Sequence, residues 1–264
     1  MKMKTKLAAV IIGSMAIFNV EASVSVPMAS ASATIDWSTF AVAGYPIGPN
    51  PVPVITWSNQ YSSVYASTDT DNESDYANDW TTALVEHAGN IATFSDAVAD
   101  TAVLHSYSKD SDLSSASQAN SSAYRFGEFS VAGSGFLVFS VNYSLDASLE
   151  PGDDSSNYYN NNYANANVYL QAQKIVSNVN NQYFNVSDSI YLYQYNFANS
   201  PVQSGGTLNL ALLVNDGEAY NILAGAGSSA NVSSIPLPSA VWLFMSALLG
   251  VLGLTRRKSS ALTA

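Results

Sequence analysis

The stretch Phe136-Leu-Val-Phe-Ser-Val-Asn-Tyr-Ser-Leu-Asp146 constrains the fold more than any other part of the chain. Leu137, Phe139, Val141, Tyr143 and Leu145 fall on one side. Ser140, Asn142, Ser144 and Asp146 fall on the other. A period of two over this length specifies a β-strand with one buried face and one wet face. The same alternation returns at Ala164, Ala166, Val168, Leu170 and Ala172, and again at Leu208, Leu210, Leu212 and Val214. From Ile190 to Phe197 the residues Tyr191, Tyr193, Tyr195 and Phe197 share one face. That tyrosine row is either cross-strand packing or an exposed stacking platform.

Turn residues separate these runs. Gly133-Ser134-Gly135 reads as a hairpin joining Ala123–Val131 to the strand at 136, and Asp216-Gly217 as a turn returning Glu218–Ala224. Upstream, Thr34–Phe40 and Val52–Tyr65 read as strands around Tyr45-Pro46-Ile47-Gly48-Pro49, while Trp80–Ala88 and Ala97–Tyr107 fit a strand or a short helix. Many half-buried strands need a second layer to cover them. The expected fold is all-β: one antiparallel β-sandwich or jelly-roll-like domain over residues 34–224. AGAGSSANVSS at its end gives an expected flexible linker over 225–234.

Charge separates the ends from the middle. Residues 34–234 hold three cations (Lys109, Arg125 and Lys174) against nineteen acids, a net charge of −16, whereas the whole chain stands at −11. Such a body lacks the clustered Lys and Arg that phosphate backbones require, so nucleic acid is excluded as a partner. The chain has no cysteine, so a core rather than disulfides must hold it together, and thiol chemistry is excluded.

The N-terminus has a signal-peptide layout over residues 1–33: Lys2, Lys4 and Lys6, then apolar Leu7–Phe18. Small-x-small sites follow at Val20-Glu21-Ala22 and Ala31-Ser32-Ala33, and cleavage is expected after Ala33. At the other end, Ala240–Leu254 carries no charge, and Arg256, Arg257 and Lys258 follow directly. Counted from Ile235, twenty residues reach ~30 Å as a helix, the thickness of a bilayer core. The basic cluster stays cytoplasmic, which leaves the body outside.

Ile235-Pro236-Leu237-Pro238-Ser239, the apolar run and Arg256-Arg257-Lys258 together resemble the PEP-CTERM sorting signal in its V-P-L-P-A variant. Ile235 and Ser239 depart from that variant, and Leu237 stands where the parent motif has glutamate. The resemblance covers about thirty residues. It implies motif 235–239, a transmembrane segment over 240–254 and a basic tail over 255–264. It also implies processing by an exosortase in a Gram-negative bacterium that makes exopolysaccharide, with Pro236, Leu237, Pro238 and Ser239 at the processed motif. The chain would pass transiently through the inner membrane and end at the cell surface or in the extracellular matrix.

Two places could carry ligand chemistry. Asp69, Asp71, Glu73 and Asp75 alternate within STDTDNESDY, where a turn could gather carboxylates around Ca²⁺; a solvated acidic loop is the other reading. Tyr158, Tyr159 and Tyr163 flank Asn160-Asn161-Asn162, and rings with amides suit sugar contact as well as they suit a surface loop. His87 and His105 stand alone, no G-x-S-x-G elbow occurs and no phosphate loop occurs. The expectation is a non-catalytic structural or interaction protein associated with exopolysaccharide, needing no cofactor, with calcium as the one candidate ion. A secreted carbohydrate-binding module is the alternative, and a secreted hydrolase is the weakest reading.

Overall fold

The computed structural model describes residues 28–111, 117–150, 162–175, 185–195 and 201–232. They form twelve strands: β1 (Met28–Pro46), β2 (Val54–Thr68), β3 (Asn72–Ala77), β4 (Leu84–Gly89), β5 (Thr93–Ala99), β6 (Val103–Asp110), β7 (Ser117–Ala132), β8 (Gly135–Glu150), β9 (Tyr163–Lys174), β10 (Asn185–Tyr195), β11 (Val202–Val214) and β12 (Ala219–Val232). There is no helix among the described residues. Two six-stranded sheets result, with orders β11-β8-β1-β6-β5-β4 and β10-β9-β12-β7-β2-β3. Their strand pairs are antiparallel. The described residues are therefore all-β in two layers, as the alternation requires.

Both candidate hairpins prove to be crossings between sheets. β7 lies in the second sheet and β8 in the first, and the same holds for β12 and β11. The two short loops brace each other instead. Gly133 N–H donates to the Asp216 carboxylate (2.7 Å), and Asp216 N–H donates to Ser134 Oγ (2.9 Å). Backbone bonds from Val131 to Glu218 and from Gly217 to Val131 complete the corner. Alternation specifies which face of a strand is buried but not which strand lies beside it. A link of two residues, as between β7 and β8, or of four, as between β11 and β12, serves an arch between layers as well as it serves a hairpin.

In Trp80–Ala88 the residues from Leu84 on form β4, and Ala97–Tyr107 is the β5–β6 hairpin turned at Asp100, whose Oδ1 accepts from Ala102 and Val103 N–H. The boundaries of the domain also move outward. β12 continues to Val232 between β7 and β9, so residues 225–232 are strand rather than linker. β1 begins at Met28, inside the stretch assigned to a leader. Ala29, Ala31 and Ala33 are fully or almost fully buried there, between β6 and β8.

The interior changes character along its length. At one end Trp37 continues the inward row of β1, and the offset of β1 against β8 between Asp36 and Ala41 brings Phe40 inward beside it. They join Trp57, Trp80, Phe129 and Phe139 in edge and stacked contacts. Gly127 makes room for this, since a Cβ there would lie 2.6 Å from Trp80 and 2.7 Å from Trp57. The buried Arg125 guanidinium lies 4.9 Å from the Trp37 ring and donates to the Trp80 and Asp100 carbonyls. Burial pulls its pKa down to about 10, against the pull of the Asp100 and Asp79 charges.

At the other end the layers meet through small and polar side chains. Ser106 and Ser108 of β6 link to Ser121 of β7 and Ser228 of β12 at 2.7–3.3 Å. Asp110 is fully buried beside them and accepts from Thr93 Oγ1 (2.8 Å), Ser117 Oγ (2.7 Å) and Val232 N–H (2.6 Å). Buried hydroxyls and carboxylates persist only when paired in this way.

Candidate functional site

The two outward faces differ sharply in chemistry. On the second sheet, strand register places Tyr61, Tyr65, Tyr76, Tyr124, Tyr163, Tyr169, Tyr191, Tyr193 and Tyr195 outward. These are nine of the sixteen tyrosines in the sequence. Asn165, Asn167, Gln171 and Gln173 on β9 and Gln118 and Asn120 on β7 stand among them. Glu128 is the one charged side chain at the outward positions of this sheet. The first sheet instead presents Asp36, Asp96, Asp146, Lys109 and both histidines, with Tyr45 and Tyr107.

The centre of the tyrosine face is self-packed. β12 carries Gly225 and Gly227 where its neighbours carry rings and amides. A Cβ at Gly225 would collide with the Tyr169 ring end, so Tyr169 lies across the strand. Tyr61 stacks on Phe126 at 4.8 Å and meets Tyr124 edge-on at 6.1 Å. Burial, then the neighbouring Tyr124, Tyr191 and Tyr61, push the Tyr169 phenol up, which keeps it a neutral donor and acceptor.

The β9–β10 margin is more open. Tyr191 is 67 % exposed and Tyr193 56 %. Tyr163 and Tyr195 each stack beside Tyr193 at 6.0 Å. Tyr163 is held from below: its hydroxyl accepts from Gln118 Nε2 (2.8 Å) and Ser229 Oγ (3.3 Å). The Tyr191/Tyr193/Tyr195 row is exposed, and its rings also pack on one another and across to Tyr163 of β9. The alternation announced a shared face, but only the layer order shows that the face is turned outward and that Leu192 and Ile190 face the core.

Of the residues suggested for sugar contact, Tyr163 lies on this face, while Tyr158 and Tyr159 fall outside the described residues. The acidic run spans the β2–β3 hairpin, with Asp69 and Asp71 in its turn and Glu73 and Asp75 on β3. Asp69 accepts from Gln118 N–H (3.1 Å) and Asp71 from Gly89 N–H (3.2 Å), while Glu73 and Asp75 sit two apart on edge strand β3. On β3 the extended backbone separates alternate residues by ~6.6 Å, which holds Glu73 and Asp75 apart. No group of three or more His, Asp or Glu converges on a metal-sized site among the described residues. Pro236, Leu237, Pro238, Ser239, Arg256, Arg257 and Lys258 lie outside the described residues.

The histidines occupy the outward face of the first sheet. His87 Nδ1 is 2.5 Å from Asp96 Oδ1, and His105 Nδ1 is 2.9 Å from Thr34 Oγ1. Burial lowers the His105 pKa against the Asp96 charge. A recess of about 410 Å³ on this face is lined by Ser32, Ser144, Asp146, Gln203, Ser204 and Gly205, and is open to solvent.

Comparison with family models, with curated proteins and with solved structures returned no match.

Proposed function

We propose that the protein is exported, trimmed at both ends and delivered to the cell surface or extracellular matrix, where its sandwich holds exopolysaccharide without acting on it. The observation that carries this reading is the tyrosine and amide face of the second sheet. Aromatic rings beside amide donors and acceptors match the apolar faces and hydroxyl rims of sugars. The open relief of that face suits a polymer better than an enclosed small molecule. The signal-peptide layout and the PEP-CTERM-like tail support the address, with an exosortase as processing enzyme and a transient passage through the inner membrane.

The test has two readouts on protein recovered from the producing cells. Intact mass is measured with the sorting enzyme present and deleted, and co-fractionation with exopolysaccharide is measured in strains that make the polymer or do not. The proposal expects a chain ending near Pro236–Ser239 that partitions with the polymer. A tail through Ala264 in both strains refutes the address, and unchanged partitioning without the polymer refutes the binding role.

A further inference from the structure

We infer that Tyr163, Tyr191, Tyr193 and Tyr195 on β9 and β10 form a stacking strip for an uncharged glycan chain. This rests on the polysaccharide reading above and narrows it to a ligand class and a set of residues.

Position comes first. In the middle of the tyrosine face the rings of Tyr61, Tyr124, Phe126 and Tyr169 are spent on one another and on Gly225. At the β10 margin Tyr191 and Tyr193 keep more than half their surface in water, although each is large and aromatic. Alternate residues on a strand stand ~6.6–6.8 Å apart. A chain lying along β10 therefore meets one ring after another, on the terminal strand of the sheet. Asn167 and Asn165 stand opposite Tyr191 and Tyr193 on β9 and set amides beside the rings. Stacking with flanking hydrogen bonds is what a sugar ring offers and what a hydrophobic partner does not need.

Charge then selects the ligand class. Residues 34–234 hold three cations, and none is on this face. Arg125 is buried in the interior, Lys109 faces outward from the first sheet, and Lys174 is paired with Glu218. A uronate or sulfate polymer would find no counter-charge here and would meet the field of a strongly acidic body. A neutral polymer meets no such penalty. Burial, with Tyr163 and Tyr195 close by, raises the Tyr193 phenol, which keeps that ring a neutral hydrogen-bonding group.

The test is native affinity electrophoresis of the recovered protein in gels containing a neutral polymer (mixed-linkage β-glucan, galactomannan or dextran) or an anionic one (alginate or hyaluronan). Retardation is expected in at least one neutral gel and in no anionic gel. The Tyr191→Ala/Tyr193→Ala variant should lose retardation by on the order of tenfold or more in dissociation constant, since two stacking rings are removed. Tyr191→Phe/Tyr193→Phe should keep most of it, because the rings remain. Both sites are exposed, and matching thermal midpoints check that each variant folds. Retardation by anionic polymers alone overturns the neutral strip but leaves the polysaccharide reading standing. So does neutral binding that survives the double alanine variant, which places the contact elsewhere. No retardation in any gel removes both. Self-association through these tyrosines, seen as a concentration-dependent mass that the alanine variant abolishes, overturns the glycan strip in favour of a second copy of the chain.

Discussion

Removing the Asp110 carboxylate should cost more than any surface change and should be largely repaired by asparagine. Asp110 is fully buried and ties three strands together: Thr93 on β5, Ser117 on β7 and Val232 on β12. In Asp110→Ala the two hydroxyls can turn to other acceptors, but the Val232 N–H is fixed by its strand. An orphaned buried donor costs about 1–3 kcal/mol, and hydrogen bonds to a charged acceptor contribute about 1.5–3 kcal/mol each. Relief of the buried charge offsets part of that loss. The net expectation is ~3 kcal/mol, or a thermal midpoint lower by roughly 6–12 °C for a domain of this size. In Asp110→Asn the amide oxygen can still face Val232 N–H, while its NH₂ can donate to the two hydroxyls, which accept as readily as they donate. That variant should lose only about 1 kcal/mol. The assay is thermal unfolding followed by circular dichroism, with both variants at the same pH. An Asp110→Ala midpoint within about 2 °C of wild type would refute the network as a stabilising element. Equal losses in the two variants would refute the donor–acceptor logic and leave the negative charge itself as the requirement.

Other outcomes follow from the same packing. Exported protein should begin before Met28, with a cut after Ala22, because a cut after Ala33 would remove Ala29, Ala31 and Ala33 from the centre of the first sheet; N-terminal sequencing that finds Thr34 contradicts this. Gly127→Val should destabilise by at least ~2 kcal/mol, read by denaturant titration, since its Cβ enters the space of Trp57 and Trp80; a tolerated valine would mean that the tryptophan pair is loosely held. Burial raises the Glu218 pKa, but hydrogen bonds from Lys174, Tyr220 and Asn215 and the Lys174 charge outweigh it and hold it at about 2 against 4.5. The folded carboxylate is thus depressed, and its contribution is full above about pH 4.5 and is lost as pH falls toward 2. Glu218→Gln should flatten the fall in thermal midpoint across that window, and an unchanged slope would show that other acids control it.

The period-two pattern placed the long strands because each buries one face. Leu137, Phe139 and Val141 point inward as their spacing requires. Partners were another matter. Gly133-Ser134 and Asp216-Gly217 look like hairpin turns because loop length alone carries no information about which layer the next strand joins. β12 could not be followed past Ala224, and β1 could not be seen before Thr34, because Ala, Ser and Gly make no apolar contrast. The close approach of the two layers is what buries Ala29, Ala230 and Ser228. β3 escaped notice because an edge strand with Glu73 and Asp75 has no buried face to reveal it. The tyrosines were visible as residues, but only the strand register gathers Tyr61, Tyr76, Tyr124 and Tyr191, which are remote in sequence, onto one face.

Tyr45 on the first sheet and Tyr193 on the second are equally exposed, at 56 % each, so they form an internal control. The most direct measurement is tyrosine nitration of the recovered protein with and without the exopolysaccharide of the producing cells, read residue by residue by mass spectrometry. Polymer binding to the tyrosine face predicts that Tyr191 and Tyr193 are protected while Tyr45 reacts as before. Equal reactivity of all three with the polymer present, or protection of Tyr45 alone, would contradict it.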